Sequence, residues 1–150
     1  GINKLRFDVI EETIARTNLK EIEKGSIVNL ERSITASTEI GGHLMSGHIH
    51  CTGKIKKILN KKSTRDIIVE FPKKFKEYIF EKGYIGLNGC SLTLGKINKS
   101  SFCLHLIPET LMVTNLDKLN VGALVNIEID QNTISVVETV KNTLAAQKSR

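Results

Sequence analysis

LIPETLMVTNLDKLNVGALVNIE, residues Leu106 to Glu128, decides how the chain is read, because the chain contains it twice. Residues Val9 to Glu31 read VIEETIARTNLKEIEKGSIVNLE. The offset is 97 throughout: Glu12/Glu109, Thr13/Thr110, Thr17/Thr114, Asn18/Asn115, Leu19/Leu116, Gly25/Gly122, Val28/Val125, Asn29/Asn126 and Glu31/Glu128. Nine identities fall in twenty residues without a gap, and four further positions exchange Ile with Leu. Chance supplies about one identity over such a span, so the repeat is real. A two-copy repeat of this length predicts two similar domains rather than a solenoid. Residue 1 aligns with residue 98, so copy one is entered more than halfway through the unit. If copy two begins near Gly42, about 55 residues of copy one have no counterpart. With Gly1 in place of Met, this reads as a chain lacking its N-terminal third, or a fragment of one.

At 150 residues the chain fits one domain and a piece of another. Its 40% apolar and 25% charged residues suit a globular core and argue against disorder. No apolar run approaches the roughly 20 residues that span a membrane, and no secretory signal is visible. Three cysteines, Cys51, Cys90 and Cys103, are odd in number and lack CxxC spacing, which predicts reduced thiols in a cytoplasmic protein. The net charge of +6 raises nucleic acid as a partner. The basic residues are dispersed, however, and without Trp the chain has few rings for bases to stack on. The reading therefore excludes nucleic acid and membrane as partners.

Around the repeat, short apolar segments alternate with glycine-bearing turns. Leu5–Ile10 and Ser26–Arg32 read as strands, with a short turn or helix around Glu12–Arg16 between them. Copy two repeats this as Ser101–Leu106, Glu109–Val113 and Ala123–Asp130. Ile49–Leu59, Arg65–Phe71 and Tyr84–Ile97 are further strand-like stretches, and Phe75–Lys82, after Pro72, reads as a short helix. The pattern predicts a small antiparallel barrel of about six strands in the complete copy. Copy one, holding only its closing strands, is expected to present an open edge. In the tail, Val136, Val140 and Leu144 recur at i, i+4 and i+8, which predicts an amphipathic helix. That helix packs either on its own barrel or on other copies of the chain.

Two stretches have compositions that can carry chemistry. In Gly41–Cys51, GGHLMSGHIHC, three glycines let the backbone approach a flat ligand. His43, His48, His50 and Cys51 could ligate a metal, or one histidine could carry a proton in a pocket, or all could be surface histidines. In Gly83–Gly95, GYIGLNGCSLTLG, the glycine spacing fits neither a dinucleotide fingerprint nor a nucleophile elbow. Ser91 and Thr93 sit two apart and face one side of a strand, where they can hydrogen-bond a heterocycle or simply face solvent. Cys90 points the other way, as a small core residue does. Leu106–Thr110 turns at Pro108 and can bind a ligand edge, or serve only as a shared folding element.

Taken together, GGHLMSGHI, GLNGCSLTLG, HLIPETL, the Thr-Asn-Leu echo and VNIEID resemble riboflavin synthase, and the likeness covers the whole chain. The resemblance implies an all-β fold: tandem six-stranded antiparallel Greek-key barrels, a C-terminal α-helix and a homotrimer held by those helices. It divides the chain into residues 1–41, the closing part of a first lumazine-binding barrel; 42–135, the second barrel; and 136–150, the oligomerisation helix. It implies dismutation of two 6,7-dimethyl-8-ribityllumazine molecules to riboflavin and 5-amino-6-ribitylamino-pyrimidinedione, with no metal and no cofactor. Gly47, His48 and Ile49 then look like a pocket wall, with His48 assisting proton transfer. Ser91, Leu92 and Thr93 look like the strand that hydrogen-bonds the pteridine, with Ser91 and Thr93 taking part in catalysis. Leu106, Ile107, Pro108, Glu109, Thr110 and Leu111 form the other wall, and Lys82 lies near the ribityl chain. Asp8, Val9, Ile10, Glu11, Glu12 and Thr13 match the corresponding wall of the first barrel. The family's Met-Phe-Thr-Gly opening and the first copy's Asn-Gly-Cys-x-Leu-Thr strand are missing, so one substrate site is expected to be incomplete. The alternative within the same fold is a non-catalytic lumazine or flavin carrier.

Overall fold

The computed structural model describes residues 4–148. Six antiparallel strands close into a barrel in the order β1-β2-β5-β4-β3-β6. They are β1 (Cys51–Asn60), β2 (Arg65–Glu70), β3 (Tyr84–Leu87), β4 (Cys90–Ile97), β5 (Ser101–Leu106) and β6 (Leu124–Ile129). Each strand sends alternate apolar residues inward. Ile67, Val69, Ile85, Leu87, Phe102, Leu104, Leu106, Val125 and Ile127 are fully buried, and Phe71 stacks on Phe102 inside. Burying one such side chain stabilises the fold by about 1.5–3 kcal/mol.

Two local devices keep that alternation in phase. On β2 the buried apolar residues are two apart, Ile67 and Val69, but their β1 partners Ile58 and Ile55 are three apart. A bulge between Ile55 and Lys57 absorbs the extra residue and keeps both Lys56 and Lys57 outside. The stretch Tyr84–Ile97, read as one piece in the sequence, is a hairpin. Asn88 and Gly89 turn it with φ of 48° and 81°, the left-handed pair that a two-residue hairpin loop requires.

Before the barrel lie α1 (Glu11–Arg16) and a 3₁₀ turn at Asn18–Glu21; after β5 lie α2 (Pro108–Val113) and a 3₁₀ turn at Asn115–Asp117. These pairs are 97 residues apart and share their geometry. Ile10 and Ile107 precede the helices at φ/ψ of −81°/160° and −82°/160°. Thr17 and Thr114 follow them, each donating its hydroxyl to the carbonyl four residues back at 2.6 Å. The two segments also bond each other reciprocally. Asn18 donates its backbone N–H to Asn126 Oδ1 (2.8 Å) and its side chain to the Leu124 carbonyl (2.9 Å). Asn115 donates its N–H to Asn29 Oδ1 (2.7 Å) and its side chain to the Ile27 carbonyl (2.9 Å). Donors and acceptors exchange as they do across an isologous contact.

Leu5–Ile10 and Ser26–Arg32 are not strands. Residues 22–50 carry no helix or strand at all. Their counterparts β5 and β6 each pair on both sides, whereas these segments find no ladder partner among the described residues. Phe75–Lys82 is likewise not the helix expected; a 3₁₀ turn occupies Lys73–Tyr78. The C-terminal helix, α3 (Gln131–Lys148), begins after Asp130, whose carboxylate accepts the Thr133 N–H at 3.0 Å. Ile134 packs on the core, and Tyr78 donates to Glu138, which Lys141 also contacts. Val136, Val140 and Leu144 remain exposed along one stripe.

Candidate functional site

The middle of the Gly41–His50 segment, Ser46–Gly47, is fastened to the barrel by one carboxylate. Glu128 on β6 is 5% exposed. Its Oε1 accepts from the Ser46 backbone N–H (2.6 Å) and hydroxyl (3.1 Å), and its Oε2 from the Gly47 N–H (3.1 Å). A buried carboxylate needs such donors, and here the loop backbone supplies them. Gly47 sits at φ 79°, a conformation that favours glycine. Close approach is built in elsewhere too. A Cβ on Gly42 would lie 2.3 Å from Ser91 Oγ, and one on Gly86 would lie 2.9 Å from Met45 Sδ.

Ser46 and Gly47 divide two clefts. The first, of about 610 Å³, is lined by Ile34, Ile40, His43, Met45 and Ser91 among others. In it His43 approaches the β3–β4 hairpin. Its N–H donates to Ser91 Oγ (3.0 Å), its Nδ1 lies 2.6 Å from the same hydroxyl, and its ring stacks on Tyr84 at 5.1 Å. The Ser91 hydroxyl thus meets both the amide and the ring of His43. The other ring nitrogen of His43, Nε2, is buried and has no partner among the described residues.

The second cleft, of about 640 Å³, lies between α1 and the loop. Ile10, Glu12, Thr13 and Arg16 face Gly47, His48 and Ile49 across it. His48 is exposed, with Nδ1 2.9 Å from Ser46 Oγ. Arg16 is held by Glu12 at 2.8 Å. His50, on the same wall, accepts the Ile129 N–H on Nδ1 at 3.1 Å. Burial lowers its pKa, opposed by the negative charge of Glu128, with smaller lowering contributions from the neighbouring His48 and Arg16.

The expected residues therefore separate. Ile10, Glu12, Thr13, Gly47, His48 and Ile49 meet in one cleft, while Ser91 lies on the other side of Ser46–Gly47. It is His43, not His48, that contacts Ser91. Thr93 is exposed further along β4, paired with Tyr84, and Leu92 packs on the core. Leu106 is fully buried and Leu111 packs against the same core, while Ile107, Pro108 and Glu109 are exposed and Thr110 is half-buried outside both clefts. Lys82 is exposed at φ 68°. Asp8, Val9 and Glu11 are exposed and also outside both clefts. The four-ligand grouping of His43, His48, His50 and Cys51 does not form, and burial pushes the Cys51 thiol up to about 12. Sequence reasoning missed Glu128, Arg16 and the His43–Ser91 pair. The Glu31/Glu128 identity in the repeat was the available signal for the first.

Residues 46–130 match the family model described as lumazine binding domain. The chain is 47% identical to the riboflavin synthase of Escherichia coli (strain K12) over 148 residues, covering 98% of this chain and 70% of that protein. This chain belongs to the riboflavin synthase family. It is also 45% identical over 138 residues to the riboflavin synthase of Buchnera aphidicola subsp. Schizaphis graminum (strain Sg), covering 90% of this chain and 65% of that one. It thus spans about two thirds of the length of these synthases. Among solved structures it resembles LumP complexed with riboflavin, with a TM-score of 0.75 and 26% identity over 81% of this chain and 66% of that one. The same protein complexed with 6,7-dimethyl-8-(1'-D-ribityl) lumazine matches with a TM-score of 0.73 and 26% identity, covering 81% of this chain and 65% of that one. Among the described residues, no helix is long and apolar enough to cross a membrane.

Proposed function

We propose that this chain is a riboflavin synthase subunit that takes part in the dismutation of two 6,7-dimethyl-8-ribityllumazine molecules to riboflavin and 5-amino-6-ribitylamino-pyrimidinedione. In this reading the six-stranded barrel is the second lumazine-binding barrel, the segment before residue 42 is the closing part of a tandem first barrel, and α3 (Gln131–Lys148) is an oligomerisation helix. The observation that carries the reading is the pair of adjoining clefts parted by Ser46–Gly47, one lined by His43 and the other by His48 and His50. A four-carbon unit passes from one lumazine to the other, which needs two flat rings held side by side and a group that moves protons.

His48 is the proton carrier in this reading. Its Nδ1 is engaged by Ser46, leaving Nε2 for the acidic methyl of a substrate ring. Ser91 presents the hydrogen-bonding edge for the pteridine, with Thr93 beyond it and Lys82 toward the ribityl chain. The ring itself takes up the electron pair, so no metal or redox cofactor is invoked. The exposed stripe of Val136, Val140 and Leu144 fits a homotrimer held by its C-terminal helices. Three free cysteines suit a cytoplasmic location.

Incubating the intact protein with the lumazine and monitoring riboflavin fluorescence tests the activity. His48→Gln is expected to lower kcat by about 10²-fold with little change in Kd; wild-type turnover in that variant removes His48 from the mechanism. A ligand that binds and stays unchanged supports the second reading, a lumazine or flavin carrier, which the likeness to LumP favours. Truncation after Thr139 is expected to shift sedimentation toward monomer, and an unchanged profile refutes the helix-held trimer.

A further inference from the structure

Outside both clefts, the barrel wall carries a cluster that the proposed reaction does not use. Phe102, Leu104 and Leu106 of β5 point inward, so Cys103 and His105 between them share the outer face. His105 is paired in register with Asp66 of β2. Asp66 is 4% exposed although it lies on the outer wall. Its Oδ1 meets His105 Nδ1 at 2.7 Å and its Oδ2 meets Lys61 Nζ at 2.5 Å. Cys103 adds a third donor, and the ligand atoms of Asp66, Cys103 and His105 all lie within 4.8 Å of one another. Gly95 of β4 makes room for the imidazole, since a Cβ there would lie 2.9 Å from His105 Nε2.

An Asp–His–Lys network explains why Asp66 and His105 meet, but not why a thiol converges on them. We propose that Asp66, Cys103 and His105 form a site for a thiophilic divalent cation of the zinc class, which joins β2 to β5 across the outer wall. One carboxylate, one thiolate and one imidazole are three of the ligand types that zinc takes in tetrahedral sites. Two of them stand at i and i+2 on one strand, the third directly across the ladder, so the backbone holds all three in place. Ligand distances of about 2.0–2.3 Å put the donor atoms roughly 3.3–3.8 Å apart, within the reach of side-chain rotation here. His105 is half exposed, and solvent can supply the fourth ligand. Binding releases the Cys103 proton to solvent and displaces the Lys61 ammonium, which occupies the carboxylate in the metal-free protein. Lys61 is thus a competitor for the site, and its side chain is exposed enough to swing away.

Cobalt(II) is the probe, titrated into the intact, chelator-treated protein. One equivalent is expected to produce a thiolate-to-cobalt charge-transfer band together with the visible bands of tetrahedral cobalt. Cys103→Ser abolishes the charge-transfer band, whereas Cys51→Ser leaves it intact. Lys61→Met, which removes the competing ammonium and none of the ligands, tightens binding roughly tenfold. Absence of the band in the wild-type protein, its survival in Cys103→Ser, or unchanged or weaker binding in Lys61→Met overturns the site.

Discussion

Val9–Glu31 and Leu106–Glu128 carry one motif into two different surroundings. The helices α1 and α2 are alike, as are the threonines that end them, and Gly25 and Gly122 turn at φ 98° and 93°. Beyond the glycine turn the likeness ends. Leu124–Ile129 is β6, paired on both sides, with Ile127 fully buried and Glu128 gripping the loop. Its counterpart 27–32 forms no ladder, and Leu30 is 65% exposed. The helix and its cap are satisfied within a few residues of the chain, so they form wherever the sequence stands. A strand is completed only by its neighbours, so the same residues form β6 where β1 and β3 flank them and nothing regular where no ladder partner does.

The comparison can be broken most decisively in the core. Ile127→Ala is expected to cost about 2–5 kcal/mol in denaturant unfolding, and its counterpart Leu30→Ala under about 0.5. Equal losses at the two sites refute the claim that only one copy is packed. Next comes the carboxylate: Glu128→Gln is expected to cost about 1–3 kcal/mol and to loosen residues 46–47 to hydrogen exchange, while Glu31→Gln does neither. At the threonines the copies are expected to agree. Thr17→Val and Thr114→Val each cost about 1 kcal/mol, because each hydroxyl serves its own turn; a difference between them shows that the cap depends on the barrel after all. The smallest effect is on pH dependence. His50 has a folded-state pKa below its ordinary 6.5, so the unfolded chain takes the proton first as pH falls. Its contribution to stability is present above that value and is lost as pH drops below it. Thermal midpoints measured across that window are expected to fall less steeply in His50→Gln than in wild type.

The barrel was legible because apolar alternation, glycine turns and strand spacing all report burial directly. The terminal helix was legible from its i, i+4 stripe, though its true start waited on the Asp130 cap. The repeat misled where it invited the same secondary structure for both copies, since identity of sequence carries no information about ladder partners. The hairpin at Asn88–Gly89 is signalled only by its dipeptide, within an apolar stretch that otherwise reads as one strand. At the site, glycine-rich composition singled out the loop, and the family resemblance pointed to Gly47, His48 and Ile49 within it. Which histidine meets Ser91 was not legible, because that contact joins residues 48 apart through a loop without periodicity.

Ser46 and Gly47 line both clefts, and one carboxylate fixes their backbone. The two chambers therefore share a party wall only two residues thick. In the proposed reading an occupant of either chamber presses on the wall of the other, and a change at this single carboxylate reaches both.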